Sequence, residues 1–484
     1  MLKSKVLKVL IVASEVSPYV KSGGLGDVIG SLPAALTEAG VDARVVLPRY
    51  RSISSDYSCS YVDSFVVTLG WRNQSSSIFK IEGAPVPTYL VENDFYFGRD
   101  GLYGYGDDHE RFAFFSKSAI ELLSCIDFQP DIIHFNDWQT AVGCVYLRDV
   151  YARFVFFRNI KTLFTIHNLQ YQGLYNRDQL SRLDFNDGYF VPDKFEFYSN
   201  ISLMKGALVY ADAISTVSPT YAHEIQTPAY GHSMDSTLRH FSHKLHGILN
   251  GIDTKTYNPA SDPSVYVNFS ADDDDFIAKK RENKARLQDQ LNLPRSDAPM
   301  VAIISRLVDQ KGLDLVAIVL EEMLYKGVQL VVLGTGDGRY EHLFKHYAWH
   351  APNQVSANIF FSDDLARKIY AGADMFLMPS VFEPCGLGQI IAMRYGTVPI
   401  VRHTGGLVDT VWHYSESNKQ GNGFVFNDYV ASGFMWAMNQ ALDTYHHDRD
   451  GWNRVMENAM SCDFSWKKSA RKYKQLYEKL KRLY

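Results

Sequence analysis

The turn Lys21-Ser22-Gly23-Gly24-Leu25-Gly26-Asp27 follows a short apolar run and precedes an apolar helical pattern. Glycines there let backbone N–H groups approach a phosphate, the helix N-terminus adds positive potential, and Lys21 adds a full charge. The alternative is a plain tight turn. The spacing matches neither a Walker loop nor a GxGxxG fingerprint, which disfavours ATPase and dehydrogenase chemistry. A second segment, Ser305-Arg306-Leu307-Val308-Asp309-Gln310-Lys311-Gly312, follows another apolar run. Arg306 offers planar bidentate donors and Lys311 a point charge, a pair suited to a diphosphate unless both are solvated surface charges. Glu383, in Val381-Phe382-Glu383-Pro384-Cys385-Gly386-Leu387-Gly388-Gln389, suits acceptance from sugar hydroxyls. Its competing reading is a helix N-terminal carboxylate that offsets the macrodipole. Thr404-Gly405-Gly406-Leu407 is a further glycine turn, and Gly334–Gly338 reads as a plain connection. His134 and His167 end apolar runs, and Asp137 and Trp138 beside the former supply a carboxylate and a stacking ring, a combination suited to sugars. The run Asp272-Asp273-Asp274-Asp275 is read as solvated surface, so no metal is expected there. No Ser/His/Asp nucleophile elbow is present in the sequence.

The elements that must carry these residues are short apolar runs separated by helical patterns. One series comprises Val6–Ala13, Ala43–Leu47, Asp131–Phe135, Lys161–His167 and Ala213–Val217. A second comprises Met300–Ser305, Val328–Gly334, Asn358–Phe361, Asp374–Pro379, Val398–Val401 and Gly423–Phe426. Continuous apolar strands alternating with helices predict parallel sheets covered on both faces, and two series predict two doubly wound α/β domains joined near Asn250-Gly251. Ligands of such sheets bind outside the carboxyl ends of the strands, so the cleft between two facing domains is the expected site. The polar segment Asn258–Asp275 reads as an exposed connection, and Phe464–Tyr484 as a terminal amphipathic helix packed on the body rather than a polybasic membrane anchor.

The bulk numbers bound the possibilities. A chain of 484 residues with 46% hydrophobic content can bury the cores of two or three domains. A net charge of −5 argues against nucleic-acid or membrane-surface partners, so any bound anion needs a local cluster of cations. Cys59, Cys125, Cys144, Cys385 and Cys462 are scattered without CxxC or Cys/His spacing, which favours a reducing compartment over a disulfide framework or zinc. The apolar run after Lys3, Lys5 and Lys8 is too short for a secretory signal, and no stretch approaches the roughly 20 apolar residues of a membrane span. A soluble cytoplasmic protein is expected.

Together these segments resemble bacterial glycogen synthases and plant starch synthases, nucleotide-diphosphoglucose-dependent retaining glucosyltransferases. Lys21–Leu25 is similar to the family's K-[ST]-G-G-L signature, and His134–Trp138, Thr165–Leu169, Ser215–Tyr221, Gly247–Asp253, Ser305–Gly312, Phe382–Leu387 and Tyr395–Pro399 follow in family order. The resemblance runs nearly the whole length. It implies the GT-B fold, two Rossmann-like domains facing across a deep cleft with the C-terminal helix crossing back to the first. The domains are then an acceptor-side domain (1–253), a nucleotide-sugar domain (254–462) and the returning helix (463–484). By position, the resemblance gives His167, Arg306, Lys311 and Glu383 the catalytic roles. Lys21, Gly23, Gly24, Asp27, Asn250, Cys385, Gly386, Leu387, Thr404, Gly405 and Gly406 would bind the donor, and Asp137 and Trp138 the acceptor. Arg306 and Lys311 would stabilise the departing nucleotide diphosphate in place of a metal, and the His167 carbonyl would lie beside the anomeric carbon. The implied reaction moves glucose from ADP-glucose to the non-reducing end of an α-1,4-glucan with retention and no cofactor. The rivals are a GT-B enzyme with another donor or a small acceptor, and a glucan-binding scaffold. The sequence departs from the family pattern at Asp108, Ser233, Ser236 and Gly388.

Overall fold

A computed structural model of the chain describes residues 6–482. The chain divides into two compact units, residues 1–251 with 466–484, and residues 252–465.

The first unit is built on a nine-stranded sheet. Leu7–Val12 lies at its centre, flanked by Val41–Pro48 on one side and Ile132–Asn136 on the other, both parallel to it. Lys161–Ile166, Ala213–Thr216 and Leu245–Gly247 extend one side in parallel, and Thr88–Glu92 the other. Every residue of Val9–Val12 is fully buried, the signature of a strand covered on both faces. The apolar-run reading located the central parallel strands but passed over the outer parallel strands Thr88–Glu92 and Leu245–Gly247, and a hairpin, Cys59–Leu69 and Arg72–Ile81, which adds antiparallel to the edge. The reason is physical. Much of Cys59–Leu69 faces solvent, so the hairpin lacks the continuous apolar run of a two-sided strand. The helix Trp466–Lys481 packs on Gly24–Glu38 and on two central strands of this same unit.

The second unit carries a six-stranded all-parallel sheet. Its spatial order is Val355–Asn358, Gln329–Leu333, Met300–Ile304, Met375–Met378, Val398–Arg402, Phe424–Phe426. Numbered along the chain this is 3-2-1-4-5-6, the doubly wound dinucleotide-fold order. Two differences from the sequence reading stand out. The third strand is Val355–Asn358, not Asn358–Phe361, because Val355–Asn358 pairs with Leu330–Leu333 and leaves Phe360 and Phe361 exposed beyond it. The segment read as an exposed connection is anchored, because Val265 and Phe269 are buried and the sealed Asp262 carboxylate binds the Tyr395 hydroxyl and Arg367.

Each sheet has one place where connections leave in opposite directions, and a parallel sheet opens a ligand crevice there. In the first unit it lies between Leu7–Val12 and Ile132–Asn136, and in the second between Met300–Ile304 and Met375–Met378. Those four strands lead directly into the Lys21 turn, Asp137, the Arg306–Lys311 segment and the Glu383 turn.

Candidate active site

In the first unit the glycine turn is held from inside. Glu15, 4% exposed, accepts hydrogen bonds from Ser22 N, from Ser22 Oγ at 2.8 Å and from Gly23 N at 3.3 Å, and from the Tyr103 hydroxyl. Ser14 Oγ lies 2.8 Å from the same Tyr103 hydroxyl. Lys21 pairs with Asp27 at 3.2 Å, and Gly23 and Gly24 lie exposed at the start of Gly24–Glu38. The sequence reading missed Glu15 and Tyr103. Their signal was present, a carboxylate directly after a buried strand and a tyrosine within Gly101-Leu102-Tyr103-Gly104.

Asp137, Trp138 and His167 meet at the ends of the adjacent strands. Asp137 has φ 60° and ψ 177°, a region that only glycine enters without strain. Its buried carboxylate accepts His167 N at 3.3 Å and the Asn168 amide, yet desolvation pushes it up to about 7. The His167 ring donates from Nε2 to Asn136 Oδ1 at 3.0 Å, and burial lowers it to about 3, so it is neutral at pH 7. Trp138 is half-buried, edge-on to Phe112 and near Tyr175. A Cβ on Gly173 would come within 2.8 Å of the indole, so that glycine makes room for it. His134 is different in kind. It is sealed between Thr165 Oγ1 and the Tyr477 hydroxyl, the latter at 2.8 Å on the C-terminal helix. Asn250 is buried with its Oδ1 unpartnered.

In the second unit three turns converge on one carboxylate. Glu383, 6% exposed, takes Lys311 Nζ at 2.7 Å and Ser380 Oγ at 3.0 Å. Its backbone carbonyl accepts Gly406 N at 3.0 Å, which ties in the Thr404-Gly405-Gly406 turn. Val381 N donates to Gln310 O at 2.9 Å, and Gln310 Nε2 to Phe382 O at 3.3 Å, so the Lys311 and Glu383 segments are laced together. Gly312 and Gly406 are there for closeness. A Cβ on Gly312 would sit 2.0 Å from Pro379 O, and one on Gly406 would sit 2.2 Å from Cys385 O. Gly386 turns with φ 72°, braced by Gln389 Nε2 donating to Cys385 O and Gly386 O. Leu387 caps Gly388–Arg394, and Arg306 lies exposed at the mouth of its strand. Ser380 and the bracing Arg402, whose guanidinium donates to Val381 O at 2.5 Å, were not singled out in the sequence.

A buried carboxylate matched by an ammonium, glycine backbone packed close, and an arginine on the Lys311 segment form an acceptor-and-cation set for a phosphorylated sugar. With paired doubly wound sheets, this defines a GT-B glycosyltransferase. The model of the starch synthase catalytic domain matches residues 8–240, and that of the glycosyl transferases group 1 matches residues 285–455. The glycogen synthase of Clostridium acetobutylicum is 48% identical over 97% of this chain and 99% of its own length. That of Desulforamulus reducens is 49% identical over 98% and 99%. Among solved structures, the catalytic domain of starch synthase IV from Arabidopsis thaliana, bound to ADP and acarbose, superposes with a TM-score of 0.92 at 35% identity, covering 99% of this chain and 100% of that one. The chain belongs to the glycogen/starch synthase family.

Proposed function

We propose that this protein transfers glucose from ADP-glucose to the non-reducing end of an α-1,4-glucan such as glycogen, with retention of configuration. The observation that carries the reading is the Lys311–Glu383 pair at 2.7 Å, enclosed by three glycine-shaped turns at the switch point of the second sheet. Lys311 and Arg306 stabilise the charge that develops on ADP as the glycosidic bond breaks, fixed positive groups at a developing anion. Glu383 accepts hydrogen bonds from donor glucose hydroxyls, and Cys385, Gly386, Leu387, Thr404, Gly405 and Gly406 shape the wall around it. In the first unit Lys21 and the Gly24 amide serve the diphosphate, with Asp27 steadying Lys21. Gly23, whose own N–H is taken by Glu15, leaves room for the donor to approach, and Asn250 offers its unpartnered amide oxygen to the donor. His167 is neutral at physiological pH, so it brings no cation to the anomeric carbon, and its role falls to its backbone carbonyl. Asp137 and Trp138 hold the acceptor glucan by a hydroxyl acceptor and an apolar ring face. The leaving phosphate takes the proton of the incoming glucan hydroxyl on the same face of the sugar, which gives retention without an enzymic nucleophile. ADP in the Arabidopsis starch synthase structure supports the donor, and its acarbose supports a glucan-like acceptor. Five free cysteines fit a reducing cytoplasm, and among the described residues no helix is long and apolar enough to cross a membrane.

The test is incorporation of labelled glucose into glycogen, with ADP-glucose and UDP-glucose in parallel and Glu383→Ala as control. Labelled polymer from ADP-glucose that vanishes in the variant is the expected result. Labelling from UDP-glucose alone would overturn the donor. No labelling from either, in folded protein that still binds glucan, would overturn the activity.

A further inference from the structure

The second unit holds a pocket of about 330 Å³ built from residues that the transfer reaction leaves unused. It opens between the helices Phe276–Gln290, Ala431–His447 and Arg449–Met460. Lys280, Arg281, Lys284, Arg295 and Arg449 line it, against only Asp297 and Asp374. That is a net charge of +3 in a chain whose overall charge is −5.

The local pairings show which charges a ligand would meet. Lys284 is neutralised by Asp374 at 2.6 Å and spends its other hydrogen bonds on Ala298 O and the Tyr445 hydroxyl. Arg295 is held by Asp289. Arg281 is exposed and, among the described residues, has neither an ion pair nor a hydrogen bond. Arg449 has no carboxylate partner among them either; it lies over the Tyr445 ring at 4.6 Å and donates to the Tyr445 carbonyl. Lys280 is sealed beneath on Ala371 O, Tyr395 O and Thr397 Oγ1 at 2.9–3.0 Å, and burial lowers its pKa to about 7, so Arg281 and Arg449 carry the charge a ligand would meet. Two guanidinium groups without acids suit a compact dianion, because each planar fork can take two oxygens. A pocket of this volume lies at the small end of ligand sites and has room for a phosphate or a sugar phosphate.

We propose that this pocket is a binding site for a small phosphate dianion, free or esterified to a sugar, held chiefly by Arg281 and Arg449. The site is coupled to the strands that carry the catalytic turns. Lys284 and Met300 N share the Asp374 carboxylate at the entry to Met300–Ile304 and Met375–Met378, and Lys280 binds Thr397 at the entry to Val398–Arg402. The far ends of those three strands lead to Arg306 and Lys311, to Glu383, and to Thr404–Gly406.

Calorimetric titration of inorganic phosphate, and separately of glucose 1-phosphate, into the full chain at saturating ADP tests this, since ADP occupies the donor turns. The expected result is one site per chain for at least one of the two, weakened at least tenfold in Arg281→Ala/Arg449→Ala and lost as salt rises. Binding by inorganic phosphate identifies an inorganic source, and binding by glucose 1-phosphate alone a sugar ester. The single variant Arg281→Glu, on an exposed side chain, repeats the test without touching Tyr445. Absence of binding by both probes overturns the proposal, as does binding that both variants leave unchanged.

Discussion

At the residue scale the second unit rests on a pair whose partners need one another. Glu383 is nearly sealed and Lys311 lies 2.7 Å from it, so removing the lysine alone leaves an uncompensated buried carboxylate. Breaking such a pair from one side costs about 3–5 kcal/mol. Lys311→Ala is therefore expected to lower stability, and Lys311→Ala/Glu383→Gln to recover most of it, because a neutral amide needs no countercharge. Urea denaturation of both variants measures the recovery. Turnover should not recover, since both lack the cation facing the leaving diphosphate, and the expected loss in kcat is about 10²–10³-fold. Asp137 presents the reverse case, a carboxylate buried without a cation. Its pKa is raised from 3.8 to about 7, so the fold prefers the protonated form. Its contribution to stability is full below about pH 4 and is lost as pH rises through 7, a change on the order of 4 kcal/mol across that window. Asp137→Asn should therefore be more stable than the parent at pH 8 and nearly equal to it at pH 4, as read from thermal melts at both. If the ionised carboxylate holds glucan hydroxyls, KM for glycogen should rise as pH falls below about 7 in the parent and stay flat in the variant.

At the element scale, the catalytic turns are fixed by backbone contact between segments more than by the side chains they present. Gly312 joins the short helix Asp309–Lys311 to Leu313–Tyr325 with φ 69°, and its missing Cβ is what lets Pro379 O approach. Pro379 opens the segment that places Glu383. Gly312→Ala forces a left-handed alanine and a clash of backbone with Cβ at once, and either the Lys311 helix or the Glu383 turn must retreat. Backbone strain of this kind costs about 1–3 kcal/mol before the clash is counted. Loss of stability should therefore accompany a fall in kcat, although residue 312 presents no reacting group. A melt shifted downward together with a slower initial rate at saturating donor is the expected result. Gly23→Ala is the counterpart, because nothing lies within 4 Å of its Cβ position and its φ of −167° is extended. As the N-cap of Gly24–Glu38 it should lose no more than about 1 kcal/mol of stability, so a fall in turnover beyond that reports on the donor rather than on the fold.

At the scale of the molecule, the central parallel strands of both sheets were legible because strands buried on both faces must be continuous apolar runs, while the short outer strands Thr88–Glu92 and Leu245–Gly247 were passed over. The exposed hairpin Cys59–Leu69/Arg72–Ile81 was not, since a half-solvated pair carries no such run. Lys21, Asp137, Arg306, Lys311 and Glu383 stood out because charge at the end of an apolar strand is conspicuous, while the family resemblance supplied their roles. Arg402 escaped notice because it acts on a backbone carbonyl brought near only by folding, and Ser380 because its hydroxyl meets the Glu383 carboxylate only once that turn is formed, whereas Glu15 had a sequence signal that went unused. The C-terminal helix shows the same limit. Its amphipathic pattern was readable, but not that it would seal His134. Tyr477 bonds His134 Nδ1, Lys474 Nζ donates to Ala39 O at 2.7 Å, and Lys481 pairs with Asp131 at 2.8 Å, all within the first unit. Removing residues 466–484 would leave an apolar face of Gly24–Glu38 uncovered and the His134 ring short of one partner, a buried loss worth about 1–3 kcal/mol for the hydrogen bond alone. Hydrogen exchange should then rise across Gly24–Glu38 and Ile132–Asn136 while Met300–Ile304 and Met375–Met378 keep their protection, because Tyr477, Lys474 and Lys481 all anchor this helix to residues 1–251. Equal loss of protection in both sheets would mean that the helix supports the chain by some route other than these contacts.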